Sequence, residues 1–197
     1  MRWTRWLGTM TTLTALGVAA VCVSCATNQA QKAAEDPAAK LARGKYLVTI
    51  AGCGDCHTPG GLYGAADTTR LLSGSELGWL GPWGVSYPRN LTPDPETGLG
   101  KWSEDDIVTA MRTGHRPDKT PLLPPMPWPD FASFTDEDAY AVVSYLKSIP
   151  PVSHKMPDVI PPSAKPTGAY LAFPPPPAWD AQNLPPPPAG AAGGGTH

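Results

Sequence analysis

Three stretches of the chain repeat apolar residues at helical spacing, and long segments without any period separate them. In the first, Leu41, Gly44, Val48 and Ala51 fall on one face of a helix opening near Pro37, where the missing proline N–H would have had no partner. The second opens at Ser103, an acceptor for the free amides of a first turn. Asp106 follows three residues on, and Glu104 and Asp105 sit at the positive end of the helix dipole. Ile107, Val108 and Met111 line its apolar face, and Gly114 ends it. The third opens with Thr135 and Asp138, buries Ala139, Val142, Val143 and Leu146, and stops at Pro150-Pro151. Between Pro59 and Gly100 the chain is rich in Gly, Pro, Asp and Trp and keeps no strand period, which predicts loops. Beyond residue 149 lie more than half of the 26 prolines, with all-proline runs at 174–177 and 185–188. Tyr170, Leu171, Phe173 and Trp179 are scattered through that stretch, too sparse to offset the entropy of ordering it. The pattern predicts an all-α domain over 37–152, with three main helices and long loops. A disordered Pro/Gly-rich tail over 153–197 follows it.

The amino-terminal 25 residues read differently. Arg2 and Arg5 precede an uncharged apolar run over 7–23, the pattern of a secretory signal peptide. The run is too short and too rich in threonine for a membrane span. Val21-Cys22-Val23-Ser24-Cys25-Ala26 resembles a bacterial lipoprotein box in which Cys25 carries the lipid, although an aliphatic residue is usual where Cys22 stands. The other reading is plain cleavage after Ala26. Lipid on Cys25 would anchor the protein stably on the outer side of a bacterial membrane; cleavage after Ala26 would leave it in the soluble periplasm. Residues 26–36 are small and polar and read as a tether. The formal charge is −2, and losing Arg2 and Arg5 makes it more negative, which argues against nucleic acid as a partner.

The most specific signal is Cys53-Gly54-Asp55-Cys56-His57. A C-x-x-C-H pentad is the attachment site of c-type haem. Each thiol adds across one haem vinyl group, and the adjacent histidine reaches the iron as proximal ligand. A zinc half-site would need a second ligand pair, and no further cysteine pair lies downstream. A redox dithiol would follow a strand, whereas the residues before Cys53 read as helix. One pentad predicts one haem. Three short helices make a poor core alone, and a buried haem would give them and the tryptophans a large apolar surface to pack on.

For the sixth iron position the candidates are Met111, Met126, Met156, His115 and His154. Met126 lies in Leu122-Leu123-Pro124-Pro125-Met126-Pro127-Trp128-Pro129, a stretch whose prolines remove donors and fix φ, so it forms a stiff extended loop. A soft thioether held there suits iron that changes oxidation state, and Met/His ligation raises the potential. Met111 belongs to the buried stripe of its helix. Met156, His115 and His154 read as tail, loop and exposed residues.

With Gly44-Lys45-Tyr46-Leu47 leading into the pentad, and a methionine loop and a last helix following, the sequence resembles the class I c-type cytochromes. Asn90-Leu91-Thr92-Pro93-Asp94, Thr97-Gly98-Leu99-Gly100, Trp102-Ser103, Pro125-Met126-Pro127 and Thr135-Asp136-Glu137-Asp138 are similar to single domains of bacterial membrane-associated cytochrome subunits of periplasmic alcohol and gluconate dehydrogenases. The resemblance covers about residues 38 to 151. It implies the cytochrome c fold, with Gly44 crossing the last helix near Tyr140 or Val143 and Met126 as the distal ligand. It also implies a backbone carbonyl, at Pro82 or Pro88, that accepts the other ring proton of His57. Those subunits commonly carry three such domains and this chain has one pentad, so it is not expected to be a complete subunit of that kind.

The expected function is therefore a monohaem carrier of single electrons between redox proteins of the periplasm or membrane, and not an enzyme. An electron-transfer subunit docked to a periplasmic dehydrogenase or terminal oxidase is a second reading. A haem enzyme or gas sensor with an open iron site is a third, which requires Met126 to stay off the iron.

Overall fold

Each predicted helix forms, the second and third end at or just before their predicted punctuation, and the first ends at Ile50, one residue short of Ala51. The computed structural model describes residues 36–173. The expected signal peptide with Cys25, the expected tether up to residue 35 and residues 174–197 of the expected tail lie outside the described residues. The helices are α1 (Pro37–Ile50), α2 (Cys53–His57), α3 (Glu104–Thr113), α4 (Trp128–Phe131) and α5 (Asp136–Ser148). Two compact units are distinguished, Met1–Lys40 and Leu41–His197. In the first, the Asp36 carboxylate accepts from the Ala38 N–H (3.0 Å), and its carbonyl accepts from the Lys40 N–H (2.9 Å). This starts α1.

The remaining ends are equally well punctuated. Ser103 and Asp106 exchange bonds in a capping box, and Gly114 closes α3 at φ 70°, a left-handed conformation that glycine adopts without a Cβ penalty. The Thr135 hydroxyl accepts from the Asp138 N–H at the start of α5 (3.2 Å).

The core joins the three long helices. Leu47 and Val48 from α1, Ile107 and Val108 from α3, and Ala139, Val142, Val143 and Leu146 from α5 form one buried cluster with the loop residues Leu72 and Leu99. Each large aliphatic side chain contributes about 1.5–3 kcal/mol by leaving water. Leu41, expected on the buried face of α1, is instead 37% exposed, and Leu47 takes the place inside. Met111 packs on the core, as its stripe predicts. Gly44 approaches α5 so closely that a Cβ would overlap the Ala141 carbonyl and lie 2.9 Å from Tyr145 Cβ. The crossing thus falls at Ala141 and Tyr145, neighbours of the two positions the resemblance implied. Arg43 forks onto Asp138 at the edge of this crossing (2.8 and 3.1 Å).

The all-α expectation needs one correction. Strands β1 (Gly78–Gly81) and β2 (Gly84–Ser86) form an antiparallel hairpin, and β3 (Tyr170–Ala172) pairs with β1 in parallel, giving the order β2-β1-β3. Strands of three and four residues are too short to display a period of two, and the third comes from a distant part of the chain.

The tail needs a second correction. Residues 153–173, expected to be disordered, lie on the preceding region as a strap. Met156 is buried against Gly74, where a Cβ would meet its sulfur at 2.7 Å. Ile160 exchanges backbone bonds with Val85 (2.8 and 3.0 Å). Phe173 stacks against Trp79 and Trp83, with ring centroids 5.8 and 5.7 Å apart. Met156, Ile160 and Phe173 meet separate partners while Val159 and Tyr170 stay exposed, so no single helical or strand period describes the strap. Met156 is core, and His154 is half-buried rather than exposed, held by the Ser73 hydroxyl (3.2 Å) and carbonyl (3.1 Å).

Candidate cofactor site

The pentad forms α2, a helix of five residues that follows Gly52 at φ 66°. This turn puts Cys53, Cys56 and His57 on one short rigid element. Both thiols are free of disulfides. Cys53 packs on the helical core, and burial, with Asp55 and Cys56 nearby, pushes its thiol up to about 11. Burial and then Asp55 raise Cys56 as well.

His57 is fixed by its backbone and by its ring. Its carbonyl accepts from the Gly74 N–H at 2.8 Å. Its Nδ1 lies 2.6 Å from the Arg89 carbonyl, which can only accept, so Nδ1 carries the proton and the lone pair is on Nε2. Burial lowers the ring pKa, and the bond to Arg89 opposes that shift. The neutral, ligating form is the one favoured. The acceptor is thus neither Pro82 nor Pro88. Pro88 uses its carbonyl for the Ser75 N–H (3.1 Å), and the bond to the ring falls one residue later.

The Arg89 carbonyl is aimed by the segment that follows it. Asn90 and Thr92 are 1% and 0% exposed. The Asn90 side-chain oxygen accepts from the Thr92 N–H (2.9 Å) and hydroxyl (2.8 Å), and its amide donates to Thr97 Oγ1 (2.9 Å) and the Val152 carbonyl (2.7 Å). Asp94 accepts from the Thr97 N–H (2.7 Å) and hydroxyl (2.8 Å), and these bonds lower its pKa. A satisfied buried polar network of this kind rigidifies the backbone that carries it.

Met126 sits elsewhere, in the loop between α3 and α4. The Leu122 N–H donates to the Gly114 carbonyl (2.6 Å), and the Met126 N–H donates to the Leu123 carbonyl (3.3 Å). The Trp128 ring covers Gly114 so closely that a Cβ there would strike it. Met126 is half-buried, and among the described residues no hydrogen bond joins its loop to α2. His115 is an exposed loop residue whose Nδ1 donates to the Thr113 carbonyl (2.8 Å).

Sequence reasoning missed Arg89. Burial and then the nearby Arg116 lower its pKa, and its buried Nε–H has no hydrogen-bond partner among the described residues. A buried cationic N–H left unpaired on the same residue as the His57 acceptor fits an anionic group such as a haem propionate, although Asp158 also acts on the guanidinium. Its signal in sequence, an arginine before Asn-Leu-Thr-Pro-Asp, acquires meaning only once its burial is known. Two free thiols, an imidazole with a free Nε2 and this unpaired Nε–H together fit a covalently held haem. Among the described residues no group of three or more His, Cys, Asp or Glu side chains offers an alternative metal site.

Comparison with known proteins agrees. The chain is 34% identical over 140 residues, 70% of its length and 27% of the relative's, to the cytochrome c subunit of an alcohol dehydrogenase (quinone) from Gluconobacter oxydans. It is 41% identical over 126 residues, 57% of its length and 25% of the relative's, to the corresponding alcohol dehydrogenase (quinone) cytochrome c subunit from Gluconacetobacter polyoxogenes. A fructose dehydrogenase cytochrome subunit from Gluconobacter japonicus is 34% identical over 113 residues, 55% of this chain and 22% of that one. The chain thus spans about a quarter of the length of these relatives. The family model for cytochrome c matches residues 41–150, more than half of the sequence, and the chain belongs to the cytochrome c family.

Proposed function

We propose that this protein is a monohaem c-type cytochrome that passes single electrons to or from a dehydrogenase on the periplasmic side of a bacterial membrane. Cys53 and Cys56 hold the haem through thioethers, His57 Nε2 binds the iron, Met126 is the sixth ligand, and Arg89 pairs with a propionate. Bound there, haem supplies a one-electron ferrous–ferric couple. The observation that carries the reading is the 2.6 Å bond from His57 Nδ1 to the Arg89 carbonyl. It commits the ring's remaining lone pair to a ligand and raises its basicity, the usual second partner of a metal-bound histidine. If His57 and Met126 both bound the iron, no site on it would be left for substrate, and these residues would act by fixing ligands rather than by catalysis.

The names of the relatives, cytochrome subunits of alcohol and fructose dehydrogenases among them, support a dehydrogenase as partner. Lipid on Cys25 would hold the carrier beside such a membrane-bound partner.

The test begins with the purified protein. Acid–acetone extraction should leave the colour on the chain, and the pyridine haemochrome should be of c type, at one haem per polypeptide. Release of intact haem would refute covalent attachment. Met126→Ala should abolish the weak red charge-transfer band of sulfur–iron bonding, lower the potential and admit carbon monoxide. Mass spectrometry of the mature amino terminus decides the anchor: a diacylated Cys25 supports it, and an unmodified Thr27 refutes it.

A further inference from the structure

Prolines stiffen the Met126 loop, but a loop with few N–H groups has few ways to be held in place. Five of the nine residues from Pro121 to Pro129 are prolines, which lack the backbone donor. Among the described residues, the Asp130 N–H of the adjoining α4 donates to the Pro127 carbonyl (3.1 Å), and the hydrogen bond that reaches the stretch from Leu123 to Pro127 from a sequence-distant element comes from Ser86, at the end of β2. Its Oγ lies 2.6 Å from the Pro124 carbonyl, two residues before Met126. The same hydroxyl lies 3.2 Å from Trp83 Nε1. An indole nitrogen only donates and a carbonyl only accepts, so the directions are fixed: Trp83 shares its N–H between Ser86 Oγ and the Trp79 carbonyl (3.2 Å), and Ser86 donates to Pro124.

The support behind Ser86 is itself fastened. Ser86 is buried and pairs with Trp79 in the hairpin. Its neighbour Val85 is fully buried and bonded to Ile160 of the strap. On the other side β1 pairs with β3, and Phe173 packs against both Trp79 and Trp83. A two-stranded hairpin alone is marginal in water, so the strap is what gives Ser86 a fixed position.

We infer that Ser86 is a positioning residue for the sixth iron ligand, holding the methionine loop closed through the Pro124 carbonyl. The inference rests on Met126 being that ligand. Loss of the hydroxyl leaves the Pro124 carbonyl without its partner and lets the loop open more often, so the sulfur leaves the iron more readily.

The experiment uses the full haem-loaded chain with two readouts, the pH at which the ferric sulfur–iron band disappears and the rate of carbon monoxide binding to the ferrous form. Ser86→Ala should lower that pH by roughly half a unit and speed carbon monoxide binding about twofold to tenfold, the range one hydrogen bond allows. Ser86→Thr, which retains the hydroxyl, should restore both. Trp83→Phe, which keeps an aromatic ring beside Phe173 but removes the donor to Ser86, should shift both in the same direction by less. Wild-type behaviour of Ser86→Ala, in a protein whose band Met126→Ala abolishes, overturns the inference and leaves the ligand assignment standing. A band that survives Met126→Ala overturns both. Should Ser86→Ala fail to load haem, Trp83→Phe decides, and an unchanged band and rate in that variant overturn the inference.

Discussion

The two sides of the proposed iron site are built on opposite plans. On the histidine side, ligand and attachment points share one helical turn, and the ring's acceptor is carried by a knot of buried side-chain bonds running from Asn90 to Thr97. On the methionine side, prolines stiffen the ligand's own segment, while its fastening comes from a hairpin and a strap that are remote in sequence. The first side is held mainly by short-range bonds around the ligand, closed off by Val152 and His154 beyond α5, and the second from outside. A polar knot ties ligand geometry to global stability, whereas a stiff loop with external props can release its ligand while the fold survives.

Truncation after Val152 should break this contrast most severely. It keeps the Val152 carbonyl that Asn90 uses but removes His154, whose N–H donates to Thr97 Oγ1 (3.0 Å), with the buried Met156, the half-buried Ile160 and β3, at about 4 kcal/mol in all. The expected result is loss of the sulfur–iron band with retention of covalent haem, read by visible spectroscopy before and after heating. Survival of the band would show that the strap does not prop the methionine side.

Asn90→Ala should act on the other side. It strands the Thr92 amide and leaves the Val152 carbonyl only the longer bond from the Thr92 hydroxyl (3.3 Å), and about 3 kcal/mol of stability should vanish from urea titrations. Cooperative loss of the whole fold is expected, rather than selective loss of the methionine.

Gly114→Ala tests the hinge of the methionine loop. A Cβ at φ 70° carries a backbone penalty and strikes the Trp128 ring, so about 2 kcal/mol should be lost. The ligand band should weaken with it, since the Leu122 N–H hangs on the Gly114 carbonyl.

Arg43→Ala removes an exposed, solvent-screened fork between α1 and α5 and should barely move the melting temperature. Neither side of the iron should respond.

Acid provides the mildest probe. Asp94, Asp106 and Asp138 are held below their ordinary range by bonds from Thr97, Ser103 and Arg43. Asp67 is lowered to about 2 by Thr69 and Arg70. A carboxylate with a depressed folded-state pKa contributes stability that is complete above its unfolded value and lost as pH falls through the folded one. Stability should therefore hold above the ordinary value near 3.8 and decline toward about 2. Asp67→Asn should flatten a small part of that decline in acid-denaturation curves.

How legible these features are in the sequence follows from how local they are. Ser103, Gly114 and Thr135 punctuate helices through bonds that span a few residues, so the chain displays them openly. The pentad is legible for the same reason. The acceptor for His57 lies one residue beyond Pro88, because a carbonyl thirty-odd positions away is chosen by the course of a loop that no period describes. Arg89 carries no sign of its burial in its neighbours. The hairpin and strap escape a reading of periods because their pairings join Trp79 to Leu171 and Val85 to Ile160. The prolines that suggest disorder are compatible with a short edge strand and with extended chain lying on a surface.

The parallel pairing of β1 with β3 also orders events in time. Chain synthesised or exported amino end first presents the pentad, the Asn90 knot and all three long helices before Tyr170–Ala172 exists to meet β1. Until then the hairpin has no third strand, and Ser86 has no firm ground from which to hold Pro124. During that interval the Met126 loop lacks the external prop that the finished fold supplies through Ser86.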